Sequence, residues 1–160
     1  MDDRDTSQYR VYTDGSGFEG NAGAAAVLYK RGHGEVKSIR FHLGSLRKYG
    51  TYEAELIGMS LGVHLLQQVL ANFAPTRSLI VDNTSALSAP SRRRARSGQH
   101  LVEEIVSSIL DLPGRRPKLA IRWGKGHVGI AGNERADTEA KKAAQGESSP
   151  AHELPHFLRD

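Results

Sequence analysis

Six carboxylates stand where secondary-structure elements begin or end. Asp14 closes QYRVYTD (8–14), a run rich in Tyr, Val and Thr with the composition of a strand. Asp82 closes a shorter apolar run, SLIV (78–81). Glu53 and Glu55 fall in the first turns of a long apolar segment, and Glu134 and Asp137 open the last helical one. Taken singly, each has an ordinary explanation. Asp-Gly is a turn, Asp82 can cap a short helix at Ser85 or Ala86, and acids in a first helical turn complement the dipole. Taken together they are costly. Two carboxylates about 4 Å apart repel by roughly 4 kcal/mol at an effective dielectric of about 20. A cluster of three or four must therefore bind protons or cations. An all-oxygen set suits Mg²⁺, with Mn²⁺ as the alternative. Two such ions about 3.5–4 Å apart can hold the attacking and leaving oxygens of a phosphoryl displacement.

The basic residues supply a second clue. The 160 residues carry 22 Lys+Arg against 18 Asp+Glu, a net charge of +4. Arg92, Arg93, Arg94 and Arg96 account for all of that excess. They are read as a basic loop over 90–98 that grips phosphates. Acids for metal and arginines for a phosphate backbone point to a nuclease. Other classes are excluded. Without Cys there is no disulfide framework and no thiolate zinc site. The longest apolar stretch, Leu56 to Leu66, has 11 residues, against the ~20 of a membrane span. The polar start MDDRDTSQYR has no signal-peptide core. The expectation is an intracellular protein, cytoplasmic or nuclear, with no membrane partner.

These groups need a scaffold. Residues 1–7 read as a loose start, 8–145 as one domain and 146–160 as a flexible tail or linker. A strand ending at Asp14, a Gly-rich turn over 14–23, a strand over 22–29 (whose alanines fit a helix equally well), a turn, and a strand over 35–43 make an antiparallel meander. Thr51 to Val69, apolar on most faces, predicts a buried helix. A buried strand over 78–81, a helical turn over 83–87, an amphipathic helix over 99–112 with Leu101, Ile105 and Ile109 in its stripe, a strand over 118–123 and a helix over 134–144 follow. The late strand–helix–strand units add a parallel part. The expected fold is α/β: a mixed sheet with helices on both faces.

Four motifs then occur in order: TDGS (13–16), YEAEL (52–56), IVDN (80–83) and GHVGIAGNERAD (126–137). Over about residues 8–145 the chain resembles the type 1 ribonuclease H family. YEAEL and the LPHFLRD tail are most similar to ribonuclease H domains of fungal retrotransposon reverse transcriptases. The resemblance implies five strands in the order 3-2-1-4-5 with strand 2 antiparallel. It implies Mg²⁺-dependent endonucleolytic hydrolysis of the RNA strand of RNA/DNA hybrids by two metal ions, leaving 5′-phosphate and 3′-hydroxyl ends. It also implies a domain that is monomeric when isolated and part of a longer reverse-transcriptase polyprotein.

By this resemblance Asp14, Glu55, Asp82 and Asp137 are the metal ligands. Glu55 is preferred to Glu53 because the family pattern asks for a small residue three positions on, and Gly58 supplies it. Glu53 is then an exposed or supporting acid. His127 corresponds to a loop histidine that moves protons or eases product departure. Gly15, Ser16 and Gly17 would approach the minor groove, with Thr51, Asn83 and the four arginines as further substrate contacts. One departure stands out. The amide pair that usually precedes the helix glutamate is replaced by Tyr52 and Glu53, and Thr51 lies one position nearer Glu55. Selectivity for the hybrid is then looser, or carried by Ser16, Asn21 and Asn83.

Overall fold

The computed structural model describes residues 8–45, 50–69, 77–81, 92–110, 119–123 and 131–159; for Thr51, 92–98 and 119–123 it describes the backbone alone. The elements are β1 (Tyr9–Phe18), β2 (Asn21–Lys30), β3 (Gly34–Ser45), α1 (Thr51–Gln67), β4 (Arg77–Val81), α2 (Arg92–Leu110), β5 (Leu119–Trp123) and α3 (Ala131–Ala144). The sheet has the order β3-β2-β1-β4-β5. β2 runs antiparallel to β1 and β3, whereas β1, β4 and β5 are parallel. This is the mixed five-stranded sheet expected from the sequence.

Period-two alternation sorts the strands onto two layers. Val11 and Thr13 of β1 face α1, where both lie against Gly62, while Tyr12 faces α3 and lies against Gly132. In β2, Ala24, Ala26 and Leu28 join the larger core with Ile39, Leu61 and Leu79. Val27 joins Tyr12, Ile80 and Ala136 in a smaller one. A strand covered on both faces reads as a continuous apolar run, which explains AGAAAVLY. α1 is buried nearly all round, between the sheet and α2, to which Gln67 Nε2 donates a 2.8 Å hydrogen bond at the Ser108 carbonyl.

The packing of α1 on β1 is unusually close. A Cβ at Gly58 would stand 2.8 Å from the Asp14 carbonyl oxygen, and one at Gly15 would stand 2.7 Å from the Ala54 carbonyl carbon. Only hydrogen fits at these positions, so the helix backbone rests on the strand backbone.

The largest differences from the sequence reading lie at the ends of three elements. β1 does not end at Asp14 but continues to Phe18, with Asp14 to Phe18 paired to Ala25 back to Asn21. The turn is only Glu19-Gly20, both left-handed (φ 47° and 81°), a two-residue hairpin whose twist matches its strands. The glycines before it suggested a longer loop but have a packing use. The expected arginine loop is helical: α2 begins at Arg92, because Arg and Ala are strong helix formers and extend the stripe's helix backwards. α3 starts at Ala131, three residues earlier than expected.

The segment expected to be a flexible tail is packed. Ser149 exchanges hydrogen bonds with the backbone of Arg40, and Ser148 Oγ accepts from the His42 amide at 2.8 Å. Two short 3₁₀ turns (Ala151–Glu153 and His156–Leu158) follow, and Leu154 is buried in the main core. The tail thereby covers the free edge of β3, which would otherwise offer unpaired amides.

A buried ion cluster fastens α3 to β3. Glu139 is 1% exposed. Its carboxylate lies 2.7 Å from Arg40 Nη1, 2.7 Å from Arg135 Nη1 and 3.2 Å from Lys142 Nζ. Burial alone would raise this carboxyl. The hydrogen bonds from Arg135 and Lys142 and the charges of Arg135 and Arg40 outweigh it and hold it at about 2, below the ordinary 4.5. A depressed carboxyl stabilises the fold above its unfolded value, and that contribution is lost as pH falls toward the folded one. Glu139→Gln is therefore expected to cost about 2–3 kcal/mol at neutral pH. The difference from wild type should shrink between about pH 4.5 and 2. Denaturant titrations across this range check it, and a pH-independent difference would refute the ion-pair account. Gly58→Ala should lower stability by about 1–3 kcal/mol through overpacking. An unchanged unfolding midpoint would show that the backbone contact is not tight.

Candidate active site

The contact between α1 and β1 places the first two acids. Gly15 meets the Ala54–Glu55 peptide and Gly58 meets Asp14 itself. Asp14 and Glu55 are thus held at one helix–strand crossing, 3% and 1% exposed. Asp14 Oδ1 accepts a 2.9 Å hydrogen bond from the Gly15 amide, which fixes the carboxylate's orientation. The crossing also gives the physical reason for a small residue three after the helix glutamate: any larger side chain there would strike the backbone of Asp14. Glu53 is 5% exposed, so it is not the exposed acid that was one of its two expected states.

The third acid arrives from the opposite face of the sheet. Asp137 lies in the second turn of α3, 29% exposed, and pairs with Lys141 Nζ at 2.9 Å. The hydrogen bond and charge of Asp137 raise the Lys141 ammonium, and Asp14 adds to the effect. β4 runs parallel to β1 with Val81 opposite Thr13. Asp82 follows Val81 in the chain, but Asp82, Asn83 and His127 lie outside the described residues. Among the described residues, no three His, Asp or Glu side chains already stand as a metal-binding group.

The donors fit a hard divalent cation. They are all carboxylate oxygens, two are nearly water-free, and the backbone cradle that holds them closes at any added Cβ. Lys141 marks the place as one where positive charge is already held. Its spacing four residues after Asp137 is legible in the sequence as an i,i+4 pair, yet motif matching passes over it. Gly15, Ser16 and Gly17, expected in a turn, lie in β1 and become steadily more exposed toward Gly17. Thr51 is the first residue of α1. Arg92, Arg93, Arg94 and Arg96 occupy the first turns of α2.

The fold is shared with known proteins. Among solved structures, the chain is similar to a foamy viral protease-reverse transcriptase in complex with RNA/DNA hybrid (TM-score 0.64, 12% identity). That match covers 86% of this chain and 20% of the viral one, so the chain spans about a fifth of that relative. It is also similar to RNase H1 from Halobacterium salinarum NRC-1 (TM-score 0.54, 17% identity, covering 87% of this chain and 98% of that one). A third is the N-terminal RNase H domain of rv2228c from Mycobacterium tuberculosis, solved as a maltose-binding-protein fusion (TM-score 0.53, 15% identity, covering 88% and 95%). At such identities these likenesses show the fold. The family model for RNase H matches residues 6–145, a span that holds β1 to α3 and every carboxylate discussed above, and the chain belongs to the RNase H family of hydrolases.

Proposed function

We propose that the chain is a Mg²⁺-dependent endonuclease that cleaves the RNA strand of RNA/DNA hybrids, as the ribonuclease H domain of a retroelement reverse transcriptase. The observation that supports this is the glycine-lined crossing that holds Asp14 of β1 and Glu55 of α1, nearly water-free, within a chain that matches the RNase H family. Asp137 of α3, paired with Lys141, is assigned to the same site by the family motif. The retroelement context is supported by YEAEL and the closing LPHFLRD, and by likeness to one part of a viral reverse transcriptase.

Asp14, Glu55, Asp137 and Asp82 would hold two Mg²⁺ ions, with Mn²⁺ as a substitute. The chemistry such ions supply when bound is activation of water and neutralisation of charge on the leaving 3′ oxygen. The buried Asp14–Glu55 pair keeps its orientation through backbone contact rather than flexible side chains, which preorganises the site. Asp137, more exposed, can exchange Lys141 for another cation without unfolding the helix. His127 is assigned the proton at the departing product. Ser16 and Gly17 sit beyond Asp14 on the same strand, where minor-groove 2′-hydroxyls distinguish RNA.

The four arginines are assigned to substrate phosphates. Cations at a helix N-terminus oppose the dipole, and the first turn of α2 contains no acid to offset them. An anionic partner removes that conflict. Four phosphate contacts would cost roughly 100-fold in affinity between about 50 and 200 mM salt. Replacing all four with Gln should flatten that dependence, as read by binding titrations; an unchanged slope would put this helix end away from the substrate.

One cleavage assay tests the central reading. Labelled hybrid, duplex DNA, duplex RNA and single strands are incubated with and without Mg²⁺. The RNA strand of the hybrid alone should be cut, only with Mg²⁺, leaving 5′-phosphate ends. Asp14→Asn should reduce the rate roughly 100-fold or more. Binding without cleavage would make the chain a non-catalytic hybrid-binding module. Cleavage of duplex DNA would make it a DNA-acting relative, and equal cleavage of duplex RNA would refute hybrid selectivity.

A further inference from the structure

A cavity lies away from the carboxylates, between the sheet and the N-terminus of α3. Its volume is about 280 Å³, and Arg10, Tyr12, Tyr29, Ala131 and Gly132 line it. Arg10 precedes Asp14 by four residues on β1, about 13 Å along an extended strand. Arg10 and Tyr29 are register partners on β1 and β2. The ring of Tyr12, where a Cβ on Gly132 would fall, sets the start of α3 against the sheet. The cavity is thus built by three elements rather than by a loop.

Its chemistry is one-sided. Arg10 is 7% exposed, and its buried Nη1 has no hydrogen-bond partner among the described residues. A guanidinium keeps its charge at any ordinary pH, and a buried charge without a counter-ion is expensive. The nearby acid Glu35 is engaged by Arg135 at 2.9 Å. Glu134, in the first turn of α3, is exposed. Lys30 also lines the cavity, and its ammonium lies 6.0 Å from the centre of the Tyr9 ring. α3 has 14 residues, and its first residues, Ala131 and Gly132, carry N–H groups that the helix leaves unpaired. Burial, and then Glu35, raise the Tyr29 phenol, which keeps its proton as a donor.

We propose that this cavity is an oxyanion site that binds a phosphate group, free or carried by a mononucleotide. A guanidinium whose Nη1 has no partner among the described residues, the ammonium-bearing Lys30, a helix N-terminus and a phenol line one space, and all favour a compact anion. The volume is at the lower end for small-molecule sites, about 300–1,000 Å³, so it admits a phosphate with a small attached group and not a duplex. The inference stands apart from the nuclease reading, because it uses none of the proposed metal ligands.

The test is amide NMR of the full 160-residue chain in chelator-containing buffer. Inorganic phosphate and a nucleoside 5′-monophosphate are titrated against chloride of equal ionic strength. Amides of Tyr29, Ala131 and Gly132 should shift saturably. Arg10→Gln should weaken binding roughly 10–100-fold, and Tyr29→Phe about 2–10-fold. Asp14→Asn should bind as wild type does. Tighter binding of the mononucleotide identifies a nucleotide site, and equal binding identifies a site for the free anion. Where Arg10→Gln fails to fold, the wild-type shift map and Tyr29→Phe decide. Absent shifts, shifts confined to Asp14–Gly17, or unchanged affinity in the folded variants would overturn the proposal.

Discussion

The structure depends on one contact, the seating of the α1 backbone on the β1 backbone through Gly15, Gly58 and Gly62. Each of these glycines faces atoms under 3 Å from where a Cβ would be. Dispersion is gained only over such short separations, so the crossing is a dense, rigid joint. It also carries a cost. Two acids that would repel in an open structure are brought together and stripped of water.

α3 lies on small residues of β2, with Gly23 against Ala143 and Ala144. Its far side is tied to β3 by the Glu139 cluster and to β3's start by Arg135 and Glu35. The helix is therefore held along its length, and Asp137 with Lys141 projects from a fixed support. The same fixed support places the start of α3 over Arg10 and Tyr12. One helix thus serves two charged regions of opposite sign, the carboxylate site and the cationic cavity.

Charge is sorted in the same way at larger scale. Net charge says little, because the excess comes from four residues in the first turns of one helix. What matters is that acids gather at the sheet's central strand, whereas arginines gather at the start of α2. The C-terminal segment contributes differently: it closes the β3 edge with serine hydrogen bonds and fills the core with Leu154.

The element types and their order were legible from local signals. Strand-favouring composition and short apolar runs marked the strands, a long apolar stretch without Pro marked α1, and the family motifs singled out Asp14, Glu55, Asp82 and Asp137. Those signals are local because hydrogen-bonding periodicity and turn chemistry act over a few residues. Tertiary structure decided what depends on distant neighbours. DGSGF became strand because β2 pairs with it, and the glycines that looked like turn residues proved to be contact surfaces. The arginine segment became helix in continuity with a stripe that packs on α1. The polar tail became ordered because β3 needed an edge partner. The burial of Glu53, Glu139 and Arg10 is invisible in sequence for the same reason. Each is set by which atoms lie opposite in the folded chain, and such pairing joins residues about a hundred positions apart or more.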